Sequence, residues 1–160
     1  MLTPPKLVPG ARVAVLSPAF AAPAVAPELH EQALRRLADL TGLIPVEYPT
    51  TRQLDASPEA RAADVNAAFA DPGIRAILAT IGGDDQILVI PHLDPALAQA
   101  DPKPFVGYSD NTNLLNWLWD LGIPASTADP PPCISGRGRP STTCTCGRCA
   151  RLCWTAARSS

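Results

Sequence analysis

The most constraining stretch of this chain is Ile74-Arg75-Ala76-Ile77-Leu78-Ala79-Thr80-Ile81, followed at once by Gly82-Gly83-Asp84-Asp85. Apolar residues run through it almost without a break. A strand with one wet face would alternate, so this run suits a central parallel strand buried on both faces. Such a strand needs helices above and below it, and the rest of the chain supplies their signals. Residues 12–17 read as a first strand. Pro27 suits the first turn of a helix with a stripe of Leu29, Ala33, Leu37 and Leu40, capped by Gly42. Ile44 to Tyr48 read as a second strand. Ser57-Pro58-Glu59 opens a helix with a hydroxyl cap, a proline and an acid at the positive end of the dipole. Its inner face is Ala62, Val65 and Phe69, and Asp71-Pro72-Gly73 stops it. A short helix is expected after Asp85. Pro104 to Tyr108 form a further strand. A helix from Asn111 to Leu121 follows, with Leu114, Trp117, Leu118 and Leu121 inward and Gly122 as its cap. Strand and helix alternate, so the fold class is α/β with a parallel sheet and helices on both faces.

Composition changes abruptly near residue 128. All five cysteines (Cys133, Cys144, Cys146, Cys149, Cys153) lie beyond residue 132, and the last acid is Asp129. Periodicity also stops there. The expected organisation is an α/β domain over residues 1–127 and an irregular tail over residues 128–160. The close cysteines could hold zinc, but the usual pair-of-pairs spacing is missing, and no metal site is assigned. A shifted reading frame accounts for the tail better. With freely chosen GC-rich codons, an alternative frame over Ser141–Ser160 encodes an amphipathic helix. A small insertion or deletion near codons 126–135 is therefore expected, and the DNA sequence would test it.

With 46% hydrophobic and 18% charged residues, the chain has apolar matter for a core. A net charge of −2 implies no nucleic-acid surface. The longest apolar runs are too short to span a bilayer, and the start has no signal-peptide pattern, so a cytoplasmic location is expected.

Ligands of open α/β sheets bind beyond the carboxyl ends of the strands. Two places qualify. Gly82-Gly83 follows the buried strand, and residues without Cβ let main-chain amides approach a substrate oxygen. Gly107-Tyr108-Ser109-Asp110 sits at a sharp strand-to-helix junction, where Ser109 would face outward. The amide of Asp110 could form half of an oxyanion hole and the Gly82/Gly83 turn the other half. Plain alternatives are a simple turn and a simple helix cap. Asp84-Asp85 could bind a cation or, more simply, cap the next helix. His30, in a surface helix, and His92, in a loop, are expected to be solvated.

Four segments together are similar to the LD-carboxypeptidase family of serine peptidases, over about residues 5–125. They are Pro58–Asp64, Ile74–Gln86, Pro91–Asp94 and Lys103–Leu115, the last containing Gly107-Tyr108-Ser109-Asp110-Asn111-Thr112. The family includes muropeptide carboxypeptidases and microcin C immunity peptidases, and Thr80-Ile81-Gly82-Gly83 resembles the immunity branch more. The resemblance implies a flavodoxin-like or amidotransferase-like N-terminal layer. It implies Ser109 as nucleophile, the amides of Gly83 and Asp110 as oxyanion hole, and Gly82 and Asp84 as possible substrate contacts. It implies no metal or organic cofactor, a small peptide or muropeptide substrate, and a homodimer. It also implies a Ser-His-Glu triad whose Glu and His lie in a C-terminal domain past this chain's last residue. No Glu follows Glu59 and no His follows His92. A serine without its base is a poor nucleophile. The reading is therefore the nucleophile-bearing domain of a serine carboxypeptidase, with a truncated, catalytically silent fragment as the alternative.

Overall fold

In the computed structural model, residues 4–124 and the backbone of residues 126–127 are described. Five parallel strands form one sheet: β1 (Arg12–Leu16), β2 (Ile44–Glu47), β3 (Ile74–Ala79), β4 (Phe105–Gly107) and β5 (Ser126–Thr127). Their order is β2-β1-β3-β4-β5. This is the flavodoxin-like order, in which the chain reverses direction across the sheet between β1 and β3. The helices are α1 (Ala22–Val25), α2 (Pro27–Thr41), α3 (Pro58–Ala70), α4 (Pro95–Ala100) and α5 (Thr112–Asp120).

The strand pairing assigns the faces. Val13 pairs with Ala76 and Ala14 with Ile77, so alternate residues of β1 and β3 point to opposite sides. Ala14, Leu16 and Ile77 join Val65, Phe69, Leu114 and Leu118 in the larger core, under α3 and α5. Val13 and Ala76 pack with Leu37 of α2 on the other face. Both faces of the central strands are therefore closed, which is why β3 carries no polar alternation.

Helix α2 differs from the expected stripe. Leu37 is buried, but Leu29 and Leu40 are 44% and 57% exposed. The inward position near the amino end of α2 belongs instead to His30. Gly42 ends α2 in the left-handed conformation at φ 69°, as the sequence suggested. Ser57 accepts a hydrogen bond from the Ala60 amide and caps α3. The short helix expected after Asp85 is two single 3₁₀ turns, Gln86–Leu88 and Ile90–His92, followed by α4.

The carboxyl end of α3 is closed by a side chain from elsewhere. Lys103, just before β4, is fully buried. Its Nζ donates to the carbonyls of Ala68, Phe69 and Asp71 at 2.8, 2.8 and 2.6 Å. Helix ends leave such carbonyls without partners, and a cation there also opposes the negative end of the dipole. The expected irregular tail and its cysteines lie outside the described residues.

Candidate active site

Three connections meet at the carboxyl edge of the sheet: the loop after β1, the loop after β3 and the loop after β4. The last carries Ser109. Ser109 has φ 57°, the only positive φ of a non-glycine residue among those described, and its side chain is exposed. A left-handed backbone costs an ordinary L-residue about 1–2 kcal/mol, so the surrounding contacts must impose it. They do so from both sides. Before it, a Cβ on Gly107 would stand 2.8 Å from the Asn111 Cβ, so the chain folds back tightly over a glycine. After it, the Ser109 carbonyl accepts from the Thr112 hydroxyl at 2.6 Å and fixes the first turn of α5. The hydroxyl is thus displayed on a sharp turn between a strand and a helix, a geometry that nucleophile elbows share.

The loop after β3 packs directly on this turn. A Cβ on Gly82 would stand 2.7 Å from the Ser109 Cβ, 3.0 Å from its Oγ and 3.3 Å from the Asp110 amide nitrogen. Gly82 is therefore a close-approach glycine, and its contact is with Ser109. Gly83 faces elsewhere: a Cβ there would meet the Ala19 Cβ at 3.0 Å and the Phe20 amide nitrogen at 3.2 Å. Among the described residues, the amides of Gly83 and Asp110 have no hydrogen-bond partner. Unpartnered main-chain donors of this kind can hold a developing oxyanion where they face the reacting carbonyl.

Arg61 of α3 ties two of the loops together. Its guanidinium, 6% exposed, donates to the Pro18 and Ala19 carbonyls at 3.3 and 2.7 Å and to both oxygens of Asp85 at 2.8 and 2.9 Å. Asp85 is thus spent on a bidentate ion pair and makes no side-chain cap on the turn that follows it. Hydrogen bonding from Arg61 holds its carboxyl below the usual range, against an opposing effect of burial. Asp84 is exposed at the rim. The sequence signal for Arg61 was slight, since an arginine in a helix normally reads as surface.

The histidines lie apart from Ser109. His30 is buried rather than solvated, and its Nε2 sits 2.8 Å from Glu47 Oε1. Glu47 also accepts from Arg52, which bridges to Glu31. Arg52 first, and His30 after it, hold the Glu47 carboxyl low against the effect of burial. His92 is exposed, with Nε2 3.5 Å from Glu59. Neither histidine contacts Ser109 among the described residues. No group of three or more metal-ligating side chains occurs among those residues either.

The two low carboxyls set an acid limit. Their folded values lie below the ordinary 3.8 for Asp85 and 4.5 for Glu47. Their contribution is present above those ordinary values and is lost as pH falls through the folded ones. Urea unfolding should therefore be flat down to about pH 5 and weaken below about pH 4, with a shallower fall in Asp85→Asn. An unchanged acid slope in that variant would mean that the Arg61 pair contributes nothing.

A parallel sheet in the order β2-β1-β3-β4-β5, with a strained serine turn resting on Gly82, defines an α/β protein of flavodoxin-like topology. Comparison narrows this. The profile of the LD-carboxypeptidase N-terminal domain matches residues 13–128, and the chain belongs to that family. The murein tetrapeptide carboxypeptidase of Pseudomonas aeruginosa is 34% identical over 122 residues, covering 71% of this chain and 38% of that protein. The crystal structure of an MccF-like protein from Bacillus anthracis matches with a TM-score of 0.74 and 32% identity, over 78% of this chain and 39% of that one. The microcin C7 self-immunity protein MccF in complex with aspartyl sulfamoyl adenosine matches with a TM-score of 0.71 and 28% identity, over 76% and 37%. The chain spans well under half the length of each of these proteins. No helix among the described residues is long and apolar enough to cross a membrane.

Proposed function

We propose that this chain carries the nucleophile half of a serine carboxypeptidase site. Ser109 Oγ attacks the carbonyl of an amide bond next to a free carboxylate, and the amides of Asp110 and Gly83 hold the oxygen that becomes negative. The observation that carries the reading is the exposed Ser109 at φ 57°, seated on Gly82. The relatives suggest the substrate class: a muropeptide stem, or an aminoacyl conjugate of a nucleoside like the aspartyl sulfamoyl adenosine found with MccF. Gly82 and Asp84 lie where such a substrate would enter. The domain is read as residues 1–127. The protein acts in the cytoplasm, without metal or organic cofactor, as part of a homodimer.

The hydroxyl proton still needs an acceptor. The sequence has two histidines, each engaged with a glutamate away from Ser109. That favours the second reading, a catalytically silent fragment, for the chain acting alone. Loss of a triad base costs on the order of 10⁴–10⁶ in kcat. Added imidazole can stand in for the missing base. A fluorophosphonate probe should label the purified chain slowly at Ser109, at least tenfold faster with imidazole, and not at all in Ser109→Ala. Labelling spread evenly over other hydroxyls, with no imidazole effect at Ser109, would remove the assignment.

A further inference from the structure

Two fully buried amide side chains, Gln86 and Asn111, connect the loop after β3 to the loop after β4. Asn111 Nδ2 donates to the Ile81 carbonyl at 2.9 Å and to the Tyr108 carbonyl at 3.1 Å. Those carbonyls immediately precede Gly82 and Ser109. Asn111 Oδ1 accepts from Gln86 Nε2 at 2.6 Å. Gln86 Oε1 accepts from the Leu114 amide at 3.2 Å, in the first turn of α5. The circuit closes through the neighbouring carboxylate: Asp110 Oδ2 accepts from the Gln86 amide at 2.9 Å, and its Oδ1 from Asn113 Nδ2 at 3.0 Å. All four amide-group atoms of the pair are satisfied without water.

Apolar side chains could replace the Gln86–Asn111 contact itself at little cost, but the Ile81 carbonyl and the Leu114 amide would then lose their partners. What apolar packing cannot do is fix two loops to a few tenths of an ångström, since hydrogen bonds carry direction and a hydrophobic contact does not. We propose that Gln86 and Asn111 are positioning residues: they set where Ser109 Oγ stands relative to the free amides of Gly83 and Asp110. The inference rests on Ser109 being the nucleophile and on those amides facing it.

Ser109→Cys in the full chain supplies a direct readout. Alkylation by iodoacetamide, followed at residue 109 by peptide mass spectrometry across pH 6 to 10, reports the thiol's midpoint separately from the five native cysteines. A thiol beside free amides at a helix start ionises below the ordinary value of about 8.5. The midpoint in Ser109→Cys should lie below that of the urea-unfolded chain. Adding Asn111→Leu or Gln86→Met should raise it by about one unit, so that labelling at pH 7 slows about tenfold. The two together should do no more than either alone, because they act as one unit. Lys103→Met is the structural control: it weakens the fold from the opposite end of the sheet and should leave the midpoint unmoved. If Asn111→Leu does not fold, Gln86→Met decides. A low midpoint that stays low in the variants overturns the positioning role and leaves the amide pocket standing. An ordinary midpoint in Ser109→Cys itself removes the pocket, and the positioning role with it.

Discussion

Lys103→Met will cost this domain about 3 kcal/mol. The methylene stem is retained, so packing changes little. The Ala68 and Phe69 carbonyls at the end of α3 lose their donor at once, while the Asp71 carbonyl keeps the Ile74 amide at 3.0 Å. Each buried polar group left without a partner costs about 1–3 kcal/mol, and removing the buried charge returns part of that sum. The side chain also ties α3 to the chain entering β4, two pieces of the same core, so the loss acts on the whole cooperative unit. Its pH dependence has a definite sign. Burial holds the Lys103 ammonium below its ordinary 10.5, partly opposed by Asp101. Below 10.5 the unfolded chain therefore binds this proton more readily than the folded one does. Stability rises with pH through the interval between the lowered value and 10.5. Urea unfolding of the wild type should show that rise, and Lys103→Met should lack it. A loss under 1 kcal/mol would mean that water reaches the carbonyls and replaces the cap.

Gly82→Ala will slow labelling of Ser109 on the order of a hundredfold while leaving most of the fold. Gly82 does not use a conformation reserved for glycine, so its requirement is one of space. The added methyl would lie 2.7 Å from the Ser109 Cβ and 3.3 Å from the Asp110 amide nitrogen. Neither atom belongs to the far end of a flexible side chain, so the whole elbow must move. Overpacking of this kind costs about 1–3 kcal/mol. Displacement of a reacting group by about 1 Å can cost on the order of 10²-fold in rate. Imidazole-assisted phosphonylation of Ser109 should fall by about that factor, with the near-ultraviolet circular dichroism largely retained. Labelling at the wild-type rate would show that the β3 loop plays no part in placing the serine.

The architecture was legible where a residue's neighbours along the chain also decide its surroundings. The run from Ile74 to Ile81 has no alternation because both its faces are closed, and that can be read without coordinates. Gly42 and Ser57 are local signals of the same kind. The serine elbow and the glycine pair could be located as two sites, since each marks the end of a strand. What the sequence did not disclose is long-range pairing of polar groups. His30 looks like any polar residue of a surface helix until β2 brings Glu47 against it. Gln86 and Asn111 stand 25 residues apart and each suits a loop, so nothing local marks them as a buried pair. Lys103 and Arg61 share this difficulty: their charge suggests solvent, and only the packed fold supplies carbonyls in the right place. The stripe of α2 failed for a related reason, because its buried positions are His30 and Leu37, and the partner that makes His30 suit the inside lies in β2.

Position 109 also bears on how such a chain changes over generations. Its backbone is one that glycine enters freely and serine enters at a penalty. Where the hydroxyl serves no reaction, selection has no reason to keep that penalty, and replacement by glycine would make the protein hardier. The identity of this one residue across related proteins would then report whether the hydroxyl is still in use.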